Sequence, residues 1–268
     1  MGWALFIFPF QAGAEEHDFT INGSSGGTLK VGYLKKWEAI DKGIGYNKII
    51  ISSGESFVRA ILKFVRLDPA LVKLKILASG NSGLNGGFFV RDLAEKTNAA
   101  LVINGGYFDE NGKPLGFLVS DGAAINKRVA TNWIYSGLFY VKGDKPFLVH
   151  REDFQEGIGV EQAIQAGPYL MANGSPLKEI KNLHASHFRS GIGITRDNEI
   201  FIFATDTKYS GVSWHELQQI LSIPDLHCAH AMNLDGGGST QMALSTAGKK
   251  EYIDGTSKIP VAIGFFKK

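Results

Sequence analysis

The sequence predicts an α+β fold: a single domain with a large mixed, mainly antiparallel sheet and flanking helices. Three observations carry this reading. Short β-type apolar runs dominate the 268 residues, with two stretches of helical spacing among them. Strands and helices mix without strict alternation, and turn signals are dense. No shift of composition marks a boundary, so the domain is expected to run from residue 15 to the C-terminus. With 44% hydrophobic and 20% charged residues the composition is that of an ordinary globular protein. A chain of this length buries a core without disulfide support.

The elements follow in order. Residues 1–14, MGWALFIFPFQAGA, form an apolar start with a small-residue ending at Ala12-Gly13-Ala14. This looks like the end of a secretory signal without its positively charged start; an apolar N-terminal strand is the alternative. The stretch is too short to span a bilayer as a helix. The expected location is therefore periplasmic or secreted, and cytoplasmic if the segment is not a signal, with no stable transmembrane anchor. Asn22 to Thr28, NGSSGGT, reads as a turn or linker. Ile49-Ile50-Ile51 and the alternating LVKLKILA from Leu71 to Ala78 read as strands, and Gly80 to Gly87 as a loop. Phe88 to Asn98 carries helical spacing, with Val90, Leu93 and Ala94 on one face. Ala99 to Ile103 and Ile200 to Ala204 read as buried strands. Ser213 to Leu221 reads as a helix, with Ser213 as N-cap and Glu216 completing a capping box. The chain returns through Ala229 to Leu234.

Several classes of function are disfavoured. A formal charge of +2, spread over scattered basic residues, does not suit a nucleic-acid partner. Cys228 is the only cysteine, so no intrachain disulfide exists; a small buried apolar residue is favoured over a nucleophile. His184 and His187, like His227 and His230, lie three apart, but zinc would want such pairs on helices with a third ligand. No metal and no cofactor is expected. The oligomeric state is open.

Two segments share a form in which an apolar strand ends at a polar residue and a glycine run. These are Asn104-Gly105-Gly106 and Asp235-Gly236-Gly237-Gly238, the latter followed by Ser239 and Thr240. Glycine lets successive N–H groups converge on an anion, and the two hydroxyls add donors. A plain tight turn is the competing reading. Neither segment has the lysine of a Walker A loop or the spacing of a dinucleotide fingerprint.

The longer strings are more specific. NGGYFDENGKPLGFLVSDG (Asn104 to Gly122), QAGPYLMANG (Gln165 to Gly174), FRSGIGITRDNEIFIF (Phe188 to Phe203) and AMNLDGGGSTQM (Ala231 to Met242) occur in that order. In these strings the chain, from about Tyr46 to the C-terminus, resembles the phosphodiester glycosidases. The best-known members of that family are N-acetylglucosamine-1-phosphodiester α-N-acetylglucosaminidases, the uncovering enzymes. The family often carries NGGFF, so Tyr107 adds a hydroxyl. The resemblance implies a hydrolase that releases a sugar from a sugar-1-phosphodiester or a related phosphorylated glycan of the cell envelope. Its substrate would be a small-molecule or polymeric sugar phosphate; exopolysaccharide, teichoic-type polymer and wall glycan all fit. A phosphodiesterase attacking phosphorus and a non-catalytic binder of anionic glycans are the alternatives.

Such hydrolysis needs cationic or N–H partners for phosphate, fixed contacts to sugar hydroxyls and a carboxylate beside an oxocarbenium-like transition state. Asp235, at the end of an apolar strand, is the first candidate carboxylate, against a turn-capping role. Asp206, ending the IFIFA strand, is the second, against an ordinary turn residue. The planar fork of Arg189 suits phosphate, against a surface salt bridge. His187 would share a face with Arg189 on an extended chain and could move a proton, against a structural role. Asn104 and Asn233 are read as amide partners of sugar hydroxyls. Gln165, Gly167 and Pro168 are read as shaping the cleft wall, and Tyr107 as stacking on a sugar or packing in the core. Gly105, Gly106, Gly236, Gly237, Gly238, Ser239 and Thr240 are the candidate anion- or hydroxyl-binding turns.

If residues 1–14 are a signal, N-terminal sequencing of the protein from its native cell should find a mature start near Glu15; an intact Met1 would exclude it.

Overall fold

Short apolar runs bounded by turns leave backbone groups that lateral strand pairing must satisfy. The chain pairs them into three sheets. The structure, a computed structural model, describes residues 16–54, 57–80, 87–155, 157 and 159–268. The expected signal-like segment and most of the expected loop at residues 80–87 lie outside them. Among the described residues every strand pairing is antiparallel.

The ten-stranded sheet runs β1 (Glu16–Asn22), β2 (Thr28–Leu34), β4 (Ile44–Ser53), β5 (Phe57–Leu67), β16 (Ile200–Thr205), β15 (Ser190–Thr195), β17 (Cys228–Asn233), β13 (Tyr169–Ala172) and β14 (Ser175–Pro176), with β3 (Glu38–Asp41) paired to β4. A five-stranded sheet runs β11 (Lys145–His150), β10 (Gly137–Lys142), β12 (Val160–Ala166), β8 (Leu118–Ser120) and β9 (Ala123–Asn126). A second runs β19 (Lys250–Ile253), β18 (Met242–Ser245), β7 (Leu101–Asn104), β20 (Val261–Lys267) and β6 (Val72–Ala78).

The strands expected at residues 49–51 and 200–204 fall within β4 and β16, and those expected at 71–78, 99–103 and 229–234 overlap β6, β7 and β17. The two expected helices are α1 (Val90–Thr97) and α2 (Trp214–Leu221), the α-helices of the described residues. The expected single large mixed sheet is corrected: the protein is sheet-dominated, with three antiparallel sheets. The reason is physical. Parallel neighbours need long crossover connections, usually helical, and this chain supplies few helices to make them. No helix of the described residues is long and apolar enough to cross a membrane.

One core lies where the three sheets face one another, with Ile192 and Ile202 of the large sheet, Phe139 and Ile164 of the first small sheet, and Leu101 and Phe265 of the second. Leu217, Ile220 and Leu221 of α2 pack on Phe201, Phe203 and Ile51. Val90, Leu93 and Ala94 of α1 cover Val102, Ala243 and Ala262. Two glycines in β15 make this packing possible. A Cβ at Gly191 would stand 2.1 Å from Phe203 Cζ, and one at Gly193 would stand 2.2 Å from Phe201 Cζ. The phenylalanine rings therefore lie across the neighbouring strand. Antiparallel pairing of Gly191 with Asn233 brings the start of β15 beside the end of β17. Pairing of β18 with β7 brings the end of β7 to the same region.

Helix α2 is held by the expected capping box. Ser213 Oγ accepts from Glu216 N at 3.1 Å, and Glu216 Oε2 accepts from Ser213 N at 3.0 Å. Arg59 Nη2 donates to the same carboxylate at 2.7 Å, and Ser24 N donates to it at 3.1 Å. Burial pushes the Glu216 carboxyl up, but these bonds outweigh it and hold the group below its ordinary value. Ser213→Ala is expected to cost about 1 kcal/mol, read by urea denaturation. Because the folded-state value is depressed, the Glu216 contribution is complete above the unfolded value of about 4.3 and is lost as pH falls through the folded one. Glu216→Gln should therefore be less stable than wild type at pH 7, and the gap should narrow in acid.

Candidate active site

The apolar run of β7 ends in Asn104, which is fully buried, and its amide is used up by the backbone. Nδ2 donates to Asp235 O at 2.8 Å and Oδ1 accepts from Gln241 N at 3.1 Å. This corrects the reading of Asn104 as a sugar contact: an atom sealed from solvent and already bonded braces the site instead. Asp235 is held from further sides, since its N–H donates to Gly105 O at 3.1 Å and its carbonyl accepts from Ser190 Oγ at 2.8 Å.

The Asp235 carboxylate faces the site. Gly236 N donates to Oδ1 at 2.9 Å, and the Ser239 hydroxyl is a second donor. Burial pushes the carboxyl above its ordinary value, and the two bonds pull it back only in part. The phenols of Tyr107 and Tyr135 are both raised, by burial first and by the Asp235 charge second. Their rings meet edge to face at 5.3 Å between centroids. Tyr107 Oη donates to Gly167 O at 2.5 Å, and Asn233 Nδ2 reaches the same carbonyl at 3.3 Å.

Arg189 completes this group. It is 5% exposed and has no carboxylate within ion-pair distance among the described residues. Nε donates to Val212 O at 3.2 Å, Nη2 donates to Ala185 O at 2.8 Å, and the guanidinium lies 4.0 Å over the Trp214 ring. Burial lowers its pKa to about 10, and it acts on the Tyr107 hydroxyl alongside Asp235. The Nε–Nη2 edge is occupied by carbonyls. The Nη1 side is where an anion can be met.

Other sequence candidates fall differently. Asp206 is buried, but its carboxylate pairs with Lys63 at 3.3 Å and accepts from Lys208 N at 3.1 Å. Lys63 also bonds Glu251 at 2.8 Å. Asp206 thus belongs to an ion-pair network with Lys63 and Glu251. His187 is exposed in a bridge with Val212, while Arg189 two residues on is buried. Gln165 is fully buried and ties loops together, accepting from Phe117 N and Val129 N and donating to Val129 O and Tyr135 O. Its side-chain amide has no group left for a ligand.

The glycine turns are close-packed, and several of their N–H groups are bonded within the protein. Gly105 N donates to Val261 O, Gly237 N to Phe188 O, Ser239 N to Gly236 O and Thr240 N to Gly237 O. A Cβ at Gly105 would lie 2.8 Å from Val261 O, one at Gly236 2.7 Å from Phe188 O, and one at Gly238 2.6 Å from Thr256 Oγ1. Gly106 packs on Gln165 O, and Gly167 on Ile134 O. Thr240 is wholly buried. A cavity of about 310 Å³ lies along β13 and β17, lined by Tyr169 and His230 among others; Asp235 is not part of its lining.

Sequence reasoning missed Tyr135, Ser190, Trp214 and Gln241. Each is brought in by tertiary packing, and no local pattern announces it.

Two outcomes follow from this geometry. Asn104→Ala strands the Gln241 N–H and the Asp235 carbonyl and should cost about 3 kcal/mol in chemical denaturation. Asp235→Asn should be more stable than wild type at pH 7, because a raised carboxyl opposes folding once ionised. That stability gap should close as pH falls below the unfolded carboxylate value of about 4, which thermal melts across pH will read.

Comparison with known proteins places the fold. A family model described as phosphodiester glycosidase matches residues 97–266. The uncharacterized protein YigE of Escherichia coli K12 is 32% identical over 121 residues, 42% of this chain and 48% of that protein. The SPβ prophage-derived uncharacterized protein YomE of Bacillus subtilis 168 is 25% identical over 186 residues, 64% of this chain and 28% of that protein. The chain spans less than half the length of these curated relatives. Among solved structures, a hypothetical protein from Synechocystis superposes with a TM-score of 0.61 at 16% identity, covering 85% of this chain and 62% of that one. The catalytic domain of zebrafish N-acetylglucosamine-1-phosphodiester α-N-acetylglucosaminidase, auto-inhibited by its pro-peptide, superposes with a TM-score of 0.62 at 17% identity, covering 95% and 83%. A Burkholderia pseudomallei K96243 protein whose name proposes export covers 99% and 98% with a TM-score of 0.53 at 12% identity. At these identities the solved structures establish a common fold, and the family model, matching well over half of the chain, establishes more: this chain belongs to the phosphodiester glycosidase family.

Proposed function

We propose that this chain hydrolyses a sugar-1-phosphodiester at the bond between the anomeric carbon and oxygen. The observation that carries the proposal is Arg189, a buried guanidinium with no carboxylate partner among the described residues, which acts on the same Tyr107 hydroxyl as the half-buried carboxylate of Asp235. An isolated buried charge is costly, and a phosphodiester oxygen on the Nη1 side would offset that cost. The zebrafish enzyme's name specifies an N-acetylglucosamine-1-phosphodiester, which supports a glycosyl phosphodiester as substrate here.

In this mechanism water adds to the anomeric carbon while the carbon–oxygen bond breaks. The phosphate monoester leaves with the electron pair, and the water proton passes to Asp235 or solvent. Phosphate is a good leaving group, so a general acid is less necessary than in an ordinary glycoside, and charge stabilisation matters more. Asp235 faces the developing oxocarbenium ion, and its raised carboxyl suits it to receive the proton. Arg189 balances the charge gathering on the departing phosphate. With Asp206 held by Lys63, the reading rests on one carboxylate. An extracytoplasmic, envelope-directed role is part of the proposal and is supported by the apolar start at residues 1–14.

Asp235→Asn should lower kcat by roughly a hundredfold or more. Arg189→Lys should lower kcat/KM by at least about tenfold, because an ammonium cannot reproduce the stacked planar fork. Asp206→Asn should leave kcat within about threefold while lowering stability. Hydrolysis in heavy-oxygen water decides the bond: label belongs in the released sugar, read before exchange. Label in the phosphate monoester would mean attack at phosphorus, and no turnover on any sugar-1-phosphodiester would favour a glycan-binding protein.

A further inference from the structure

We infer that His184 and His215 form a binding site for a divalent metal ion of the imidazole-preferring kind, such as zinc or nickel. The pair is not the one that sequence spacing suggests. His187, three residues after His184, is engaged through its backbone in the bridge with Val212. His184 instead meets His215, the second residue of α2, with ring centroids 4.8 Å apart and planes at 52°.

Three features point to a metal. The first is distance. At a metal–nitrogen length of about 2.0–2.1 Å and a tetrahedral angle, two imidazoles sharing one ion have centroids about 5 Å apart. The observed separation is close to that value. The second is chemistry. Among the described residues no hydrogen bond or ion pair is made by a ring nitrogen of either histidine, so the coordinating atoms are not committed elsewhere. His184 is exposed and His215 half-buried, which leaves the pair reachable. The third is bracing. His215 N donates to Leu183 O at 3.0 Å, and the two backbone bonds between His187 and Val212 close the other side. The segment carrying His184 is thus already fixed to the start of α2, so little ordering cost remains at binding.

No third His, Cys, Asp or Glu joins the pair among the described residues, so water completes the coordination shell. Affinity will be lower than at a closed four-ligand site. Neutral imidazole selects zinc, nickel or copper over magnesium and calcium, which prefer oxygen.

The site borders the arginine cradle. Residue 185 supplies the carbonyl that takes Arg189 Nη2, and residue 214 supplies the indole under the guanidinium. A metal across His184 and His215 therefore clamps the two elements that hold Arg189. An effect of that clamp on hydrolysis would rest on the proposed activity; the binding itself does not.

The test uses the full chain without a histidine tag. Calorimetric titration and thermal melts are run with zinc chloride, nickel chloride and, as control, magnesium chloride. Zinc and nickel should each raise the melting midpoint by several degrees at saturation, with no effect of magnesium. His184→Ala and His215→Gln should each weaken binding at least tenfold, while His187→Ala should leave it unchanged. Absence of a shift in the wild-type protein, or a shift that survives His184→Ala, would overturn the site. His184 is exposed, so that variant folds and decides the matter even if changes at His215 disturb α2.

Discussion

The structure around the candidate site depends on one buried amide. Asn104 ends the strand β7 of one sheet, and through its side chain it holds both the Asp235 carbonyl and the Gln241 N–H. The Asp235 carbonyl is also held by Ser190, the first residue of β15 in the large sheet. Two sheets are therefore joined at the residue whose carboxylate faces the site. That joint adds to the backbone bonds that hold the DGGGST turn, from Asp235 N to Gly105 O, from Gly237 N to Phe188 O and from Thr256 N to Gly238 O. A hydrogen bond of this kind contributes modestly when made and costs more when one partner is removed. Its importance here is positional: it fixes the backbone of Asp235 so that only the side chain is free to interact.

The same constraint explains the glycines. A turn pressed between Phe188, Val261 and residues 256–257 has no room for Cβ atoms at Gly105, Gly236 and Gly238. The N–H groups of Gly105, Gly237, Ser239 and Thr240 are spent on holding the turn closed, and that of Gly236 on the Asp235 carboxylate. Under the proposed function Arg189 is the side chain that meets the anion. Its stacking on Trp214 and its two carbonyl partners position it without neutralising it.

Legibility from sequence divides along this line. The capping box of α2, the buried strand β16 and the face of α1 could be read because each is written within a few consecutive residues. The pairing of strands into three sheets could not, since antiparallel partners such as β5 and β16 are far apart in sequence and their register is set by packing. Site residues divide in the same way. Asp235 and Arg189 stand where strand ends place them. Asp206 has the same local signature as Asp235, a carboxylate after an apolar strand, yet Lys63 on the adjacent strand claims it. Asn104 reads as a partner of sugar hydroxyls and Gln165 as part of a cleft wall, and both are buried with their amides bonded to backbone. Local pattern tells which residues stand at the ends of strands; only the neighbouring strand decides whether their polar groups are spent.

That distinction also bears on Tyr107. Where the family often has phenylalanine, this chain carries a hydroxyl inside the site, and the hydroxyl is spent on Gly167 O. Gly167 O is also the carbonyl reached by Asn233, two residues before Asp235. Tyr107 follows the NGG turn of one sheet, and Asn233 ends β17 of another. The added phenol thus makes a second tie, to the carbonyl that Asn233 also reaches. Its ring meanwhile stays edge-on to Tyr135, in the arrangement a phenylalanine would also make. The substitution therefore preserves the apolar wall that raises the Asp235 carboxyl and adds rigidity to the backbone behind it. Under the proposed function a half-buried carboxylate gains from both.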